Sequence, residues 1–118
     1  MRPLEVRKFL FDIAEACEFI ENFTAGKTFN DYSQDPLLRS AVERQFEIGG
    51  EALNQALRLD PTLALHISDS GRIIAFRNRL IHAYPSINHR LVWGVVEDNL
   101  PTLHREINAL LSQDDQLP

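Results

Sequence analysis

The chain has 118 residues, 44% of them apolar and 25% charged, with 5 Gly and 6 Pro; this is the composition of one globular domain spanning 1–118 and excludes a disordered or collagen-like chain. The single cysteine, Cys17, excludes an intrachain disulfide and a cysteine-based zinc site, and a lone thiol fits a reducing compartment. The net charge of −5 argues against non-specific nucleic-acid binding by the molecule as a whole.

Helical periodicity dominates and β signals are poor. The first helix is predicted from Pro3, with Val6, Phe9, Leu10, Ile13, Cys17, Ile20 and Phe23 on one stripe and Gly26 as its stop. Residues 27–35 read as a loop that Phe29 or Tyr32 pins to the core. The second helix has Asp35 as N-cap and Pro36 at its first position, and its stripe runs from Leu38 through Val42, Ile48, Leu53 and Leu57. Gly49-Gly50 in its middle costs about 1 kcal/mol per glycine, which calls for a reason such as close approach of another helix. A short helical turn is expected after Pro61. The third long helix starts near Ser68 or Asp69, with Ile73, Ile74, Phe76, Leu80 and Ile81 as its apolar positions, and ends near His82–Tyr84 because Pro85 disfavours helix before it. The last runs from Ser86 or Asn88 to about Leu111, kinked or split at Pro101, and residues 112–118 form a polar tail expected to fray. The sum is an all-α, up-down bundle of four main helices plus a short extra one. The longest apolar run, Leu91 to Val96, is far short of the ~20 residues of a membrane span, and no apolar leader is visible, so the expectation is a cytoplasmic protein with no membrane role.

Charge is unevenly spread. From Gly71 to Val96, 26 residues contain no Asp or Glu but hold Arg72, Arg77, Arg79 and Arg90; this window carries +4 and the other 92 residues −9. Either it is an ordinary Arg-bearing face or a local field suited to an anion such as a phosphate.

Within it lies Arg77-Asn78-Arg79-Leu80-Ile81-His82-Ala83-Tyr84-Pro85. Asn78 and His82 share a helix face, whereas Arg77 and His82 diverge by about 140° on a regular helix. The helix must stop just after His82 and the Arg side chain is long, so the two are expected to converge on one small anion. Arg offers a planar, permanently charged fork for a phosphate, and His moves protons near neutral pH. This pair, without a metal-ligand cluster, is what metal-free RNA cleavage needs. His82 as a plain helix C-terminal residue is the competing reading. His66, His82, His89 and His104 lack metal-ligand spacing, so neither metal nor cofactor is expected. Cys17 reads as core, Trp93 as core or interface, and Glu51 as a solvated helix residue, with a hydrogen bond to the Arg77 segment as the alternative.

The motif Arg-x4-His-x-Tyr (Arg77, His82, Tyr84, with Asn78 after the Arg) is accompanied by Arg44 to Ala52, ending in Gly-Glu-Ala, and by Val92-Trp93 and Leu100-Pro101-Thr102-Leu103. In these elements the chain resembles the HepT-like branch of the HEPN superfamily, the toxin half of bacterial HEPN/minimal-nucleotidyltransferase toxin–antitoxin pairs; Gly49 departs from the family's usual bulkier aliphatic. The resemblance implies a HEPN-type bundle, a homodimer with the Arg-x4-His segments near its cleft, and a metal-independent endoribonuclease leaving a 2′,3′-cyclic phosphate and a 5′-hydroxyl. It also implies a small nucleotidyltransferase antitoxin able to transfer AMP to Tyr84. Arg77 would then stabilise the scissile phosphate, His82 act as acid or base, Asn78 orient it, and Arg72, Arg79 and Arg90 hold flanking phosphates. The rival readings are a non-catalytic HEPN protein that binds nucleotide or RNA or assists a partner nucleotidyltransferase, and a purely structural helical subunit.

Overall fold

The helical spacing of the sequence is realised across residues 2–82 and 87–115, which the computed structural model describes. Six α-helices follow one another: α1 (Leu4–Thr24), α2 (Phe29–Gln34), α3 (Pro36–Leu59), α4 (Ser70–His82), α5 (His89–Gly94) and α6 (Leu100–Asp115), with a 3₁₀ turn at Pro61–Leu65, a π turn at Val95–Asn99, and no strand among the described residues. The all-α bundle is as expected. Helix α3 packs along α1 and against α4, and α6 lies against α1.

The predicted stripes make the core. Leu10, Ile13, Ile20, Val42 and Leu53 are at most 1% exposed, and Ile107 of α6, which no stripe had included, is buried with them. Cys17 is buried there, and burial pushes its thiol up to about 12. Ile48 and Ile81, assigned to stripes by spacing, are instead exposed on the surface. The caps follow the sequence: Asp35 Oδ1 accepts from the Leu37 and Leu38 amides at 3.1 Å, with Pro36 behind it. Pro3 caps α1 rather than joining it, and Gly26, at φ 73°, follows its end. Asp69 takes φ 56°, so α4 starts at Ser70, while the Ser68 amide and hydroxyl donate to the Glu106 carboxylate on α6.

Two expectations need correction and a third takes a specific form. Residues 29–34 form a helix, not a loop: Thr28 and Asp31 make a reciprocal capping box, and Tyr32 is fully buried, its ring 5.3 Å from that of Trp93. The expected kink at Pro101 takes the form of a π turn in the helical turn before it, where the proline ring and its missing N–H act. Leu100 N–H bonds to Val95 O, one residue further back than in an α-helix, so the π turn absorbs the break and the chain re-enters α-helix at Leu100. The polar end of the chain is partly anchored. Helix α6 reaches Asp115, and Asp114, 3% exposed, accepts from Arg2 Nη1 at 3.0 Å with Arg7 Nε 3.8 Å away. The rest of that tail, 116–118, lies outside the described residues.

Candidate functional site

The two glycines of α3 let neighbouring helices approach, as their cost had suggested. A Cβ at Gly49 would lie 3.2 Å from Ala16 Cβ on α1, and one at Gly50 would lie 2.5 Å from Arg77 Cβ and 2.6 Å from its Cγ. The stem of Arg77 therefore lies directly on the bare backbone of α3. Next to it, Phe46 of α3 and Phe76 of α4 meet edge to face at 5.1 Å, which fixes the register of the two helices.

That register delivers the Arg77 guanidinium to Glu51. Nη2 of Arg77 lies 2.5 Å from Glu51 Oε2, Nη1 donates to Asn78 Oδ1 at 2.8 Å, and Gln55 Nε2 donates to Glu51 Oε1 at 2.8 Å. The Arg77 side chain is 20% exposed and that of Glu51 42%. Arg77 is thus held from both sides with its Nε buried, while a fifth of the side chain stays exposed. Glu51 is not the freely solvated residue expected, and Asn78 Oδ1 is engaged with Arg77. The acid-free window of the sequence is acid-free only along the chain, since α3 supplies a carboxylate from outside it.

His82 is exposed in the last described turn of α4. The helix remains α through His82, so the backbone positions of the pair stay about 140° apart around its axis. Tyr84 lies outside the described residues.

Arg72 and Arg79 fall on a different face of α4 from Arg77. They flank a groove of about 390 Å³ between α4 and the α5–π segment, whose walls include Phe76, Leu91, Val95 and Asn99. Arg90 stacks on the Phe29 ring, its guanidinium carbon 3.9 Å from the ring centroid. Beside α5, burial pushes the Glu43 carboxyl above its ordinary range, opposed by the charges of His89 and Arg39 and reinforced by Glu47. His104 Nδ1 lies 2.7 Å from Glu21 Oε1. Among the described residues no three His, Cys, Asp or Glu side chains cluster as metal ligands, and no helix is long and apolar enough to cross a membrane.

Sequence reasoning undervalued Glu51 and missed Gln55 and Asn99. The signal for Glu51 was its neighbour: a costly mid-helix glycine marks a close approach, and the next residue is positioned to meet whatever approaches.

The chain matches the family described as Ribonuclease HepT-like over residues 13–61 and 66–110. A Thermococcus cleftensis protein named as a probable ribonuclease HepT is 35% identical over 108 residues, 88% of this chain and 94% of that protein. Proteins of Caldanaerobacter subterraneus subsp. tengcongensis and Methanocaldococcus jannaschii, each named as an inferred RNase, are 30% identical over 109 and 110 residues; these cover 92% and 93% of this chain, and 96% and 100% of theirs. No solved structure matches the chain.

Proposed function

We propose, from the premise that the chain belongs to the HepT-like ribonuclease family, that it is a metal-independent RNA endonuclease and the toxin of a toxin–antitoxin pair, acting as one domain over 1–118. The observation that carries this reading is the held guanidinium. Arg77 rests on Gly50 and is tied to Glu51 and Asn78, five residues before an exposed His82. A charge oriented before substrate arrives costs no reorganisation when a phosphate crowds into its transition state.

In this mechanism an RNA phosphate takes the open edge of Arg77, and His82 moves protons. The 2′-hydroxyl loses its proton and attacks the adjacent phosphorus. The P–O5′ bond breaks and the 5′-oxygen leaves with a proton, giving a 2′,3′-cyclic phosphate and a 5′-hydroxyl. Asn78 acts through Arg77, whose Nη1 it holds. Arg72 and Arg79 contact flanking phosphates, and Arg90 keeps its N–H edges open while stacked on Phe29. A homodimer with both α4 ends at one cleft offers an extended RNA two such segments. The exposure of Ile81, 38%, supports an apolar contact of this kind. Light scattering tests it.

The deciding experiment is RNA cleavage in EDTA. Arg77→Ala and His82→Ala are each expected to lose at least about 100-fold in rate while keeping the helical circular dichroism of the wild type. His82→Ala cleaving at the wild-type rate overturns the assignment. The Glu51 ion pair favours one second reading, a non-catalytic protein that binds nucleotide or RNA; binding without cleavage by the wild type identifies it.

The partner in this proposal is a minimal nucleotidyltransferase that transfers AMP to Tyr84. An AMP group two residues from His82 adds negative charge and bulk where the RNA phosphate must sit. Intact-mass spectra after co-expression test it: the AMP adduct is expected on wild type and absent from Tyr84→Phe, which remains an active nuclease.

A further inference from the structure

The groove beside α4 has a composition that the cleavage chemistry does not use. Its walls carry two cations, Arg72 and Arg79, an apolar lining from Phe76, Leu91 and Val95, and the carboxamide of Asn99, with no carboxylate among its lining residues. Arg72 and Arg79, seven residues apart on α4, lie on one face, separated by about 10.5 Å along the axis. His82 follows Arg79 by three residues, so the groove leads along the helix surface to His82. Asn99 belongs to the π turn, where the extra residue in the helical ring re-aims the side chains of the last helix.

Resting on the ribonuclease reading above, we infer that this groove is a subsite for one nucleotide of single-stranded RNA beside the scissile phosphate. An unstacked base lies against the apolar lining, Arg72 and Arg79 hold phosphates at the two rims, and the Asn99 carboxamide bonds to the base edge. Each feature matches a need of that ligand. About 390 Å³ lies at the small end of ligand pockets and suits one nucleoside. A base leaving the stack needs an apolar or aromatic surface, and a carboxamide offers both donor and acceptor to its edge. A stable contact between two copies needs roughly 800 Å² from each, which a slot of this size does not supply by itself. The site selects single strands, because a base in a duplex cannot enter it.

The test uses the full chain and short fluorescein-labelled single-stranded RNAs, with His82→Ala present in binding assays so that the probe survives. Ala75→Trp, at an exposed helical position in the groove wall, fills the slot, and Arg72→Glu with Arg79→Glu reverses the rim charge. Each is expected to weaken binding at least about tenfold by fluorescence anisotropy. A duplex of the same sequence is expected to lose little affinity with Ala75→Trp. Asn99→Ala is expected to narrow the spread of affinities among oligo-A, oligo-C, oligo-G and oligo-U. If the wild type cleaves RNA and Ala75→Trp cleaves the same RNA with unchanged KM and affinity, the subsite is overturned while the ribonuclease reading stands. A loss of binding that accompanies a halved mass in light scattering also overturns it, because the groove then joins two copies. A wild type that cleaves no RNA overturns the ribonuclease reading itself.

Discussion

The packing of Arg77 on Gly50 makes Gly50→Ala the most informative single substitution. An added Cβ would sit 2.5 Å from Arg77 Cβ and 2.6 Å from Cγ, whereas carbon atoms settle at about 3.5–4.0 Å. About 1 Å must be found. Arg77 Cβ is fixed to the backbone of α4, so a change of rotamer cannot supply it and the two helices must separate. Alanine recovers about 1 kcal/mol of helix propensity, and overpacking costs about 1–3 kcal/mol. The net is a destabilisation of about 0–2 kcal/mol, a fall in Tm of up to about 10 °C. Function suffers more than stability. A guanidinium displaced by about 1 Å from Glu51 and Asn78 is expected to lose about 100-fold in RNA cleavage. Gly49→Ala is the control: its Cβ meets only Ala16 Cβ, at 3.2 Å, so a few tenths of an ångström suffice and both stability and cleavage stay near wild type. Thermal melts and initial rates on one RNA check both variants. Wild-type cleavage by a stably folded Gly50→Ala refutes the reasoning.

Glu51→Gln removes a carboxylate that competes with RNA for Arg77; in the His82→Ala background it is expected to bind RNA several-fold more tightly by anisotropy, with stability changed by no more than about 1 kcal/mol because the pair is partly exposed. Asp114→Ala is expected to cost about 1–3 kcal/mol in urea denaturation, since it strips a buried partner from Arg2 and Arg7. Glu43 has its folded-state pKa raised by burial, so its share of stability is present below its ordinary value of 4.5 and is lost as pH rises through the folded value. Glu43→Gln is therefore expected to raise Tm at pH 7 and leave it unchanged at pH 4 or below; equal shifts at both pH values contradict this.

The helices were legible wherever a stripe was long or a cap was strong. Asp35-Pro36 fixed the start of α3 to the residue because a side-chain acceptor and a missing N–H are local facts. The six residues of α2 escaped because they hold less than two turns of periodicity; only Thr28 and Asp31, three apart, carried the signal. The anchoring of Asp114 was illegible for the opposite reason. Its partners Arg2 and Arg7 are more than 100 residues away in sequence and meet it only once α1 and α6 pack.

The candidate site shows the same division between what lies along the chain and what packing brings to it. The motif from Arg77 to Tyr84 was readable because its residues are consecutive, and so was the run of positive charge around it. What that charge faces was not. Counting along the sequence gives Gly71 to Val96 a free charge of +4, yet the fold sets Glu51 on Arg77 and brings Glu43 near His89. The pairing is specific. Gly50 and Glu51 are adjacent on α3, Arg77 and Asn78 are adjacent on α4, and the first member of one pair supports the first member of the other while both second members take hold of its guanidinium. Remove the side chain from Gly50's position, as nature has, and α4 comes close enough for Glu51 to reach Arg77; restore one, and the reach is lost. An anion arriving at Arg77 therefore meets an oriented cation and a resident competitor at once, and its affinity is the difference between the two. Among the described residues, no carboxylate lines the groove of Arg72 and Arg79 as such a competitor. On the proposed ribonuclease reading, initial capture of a polyanion falls to the groove, and exchange at Arg77 follows it.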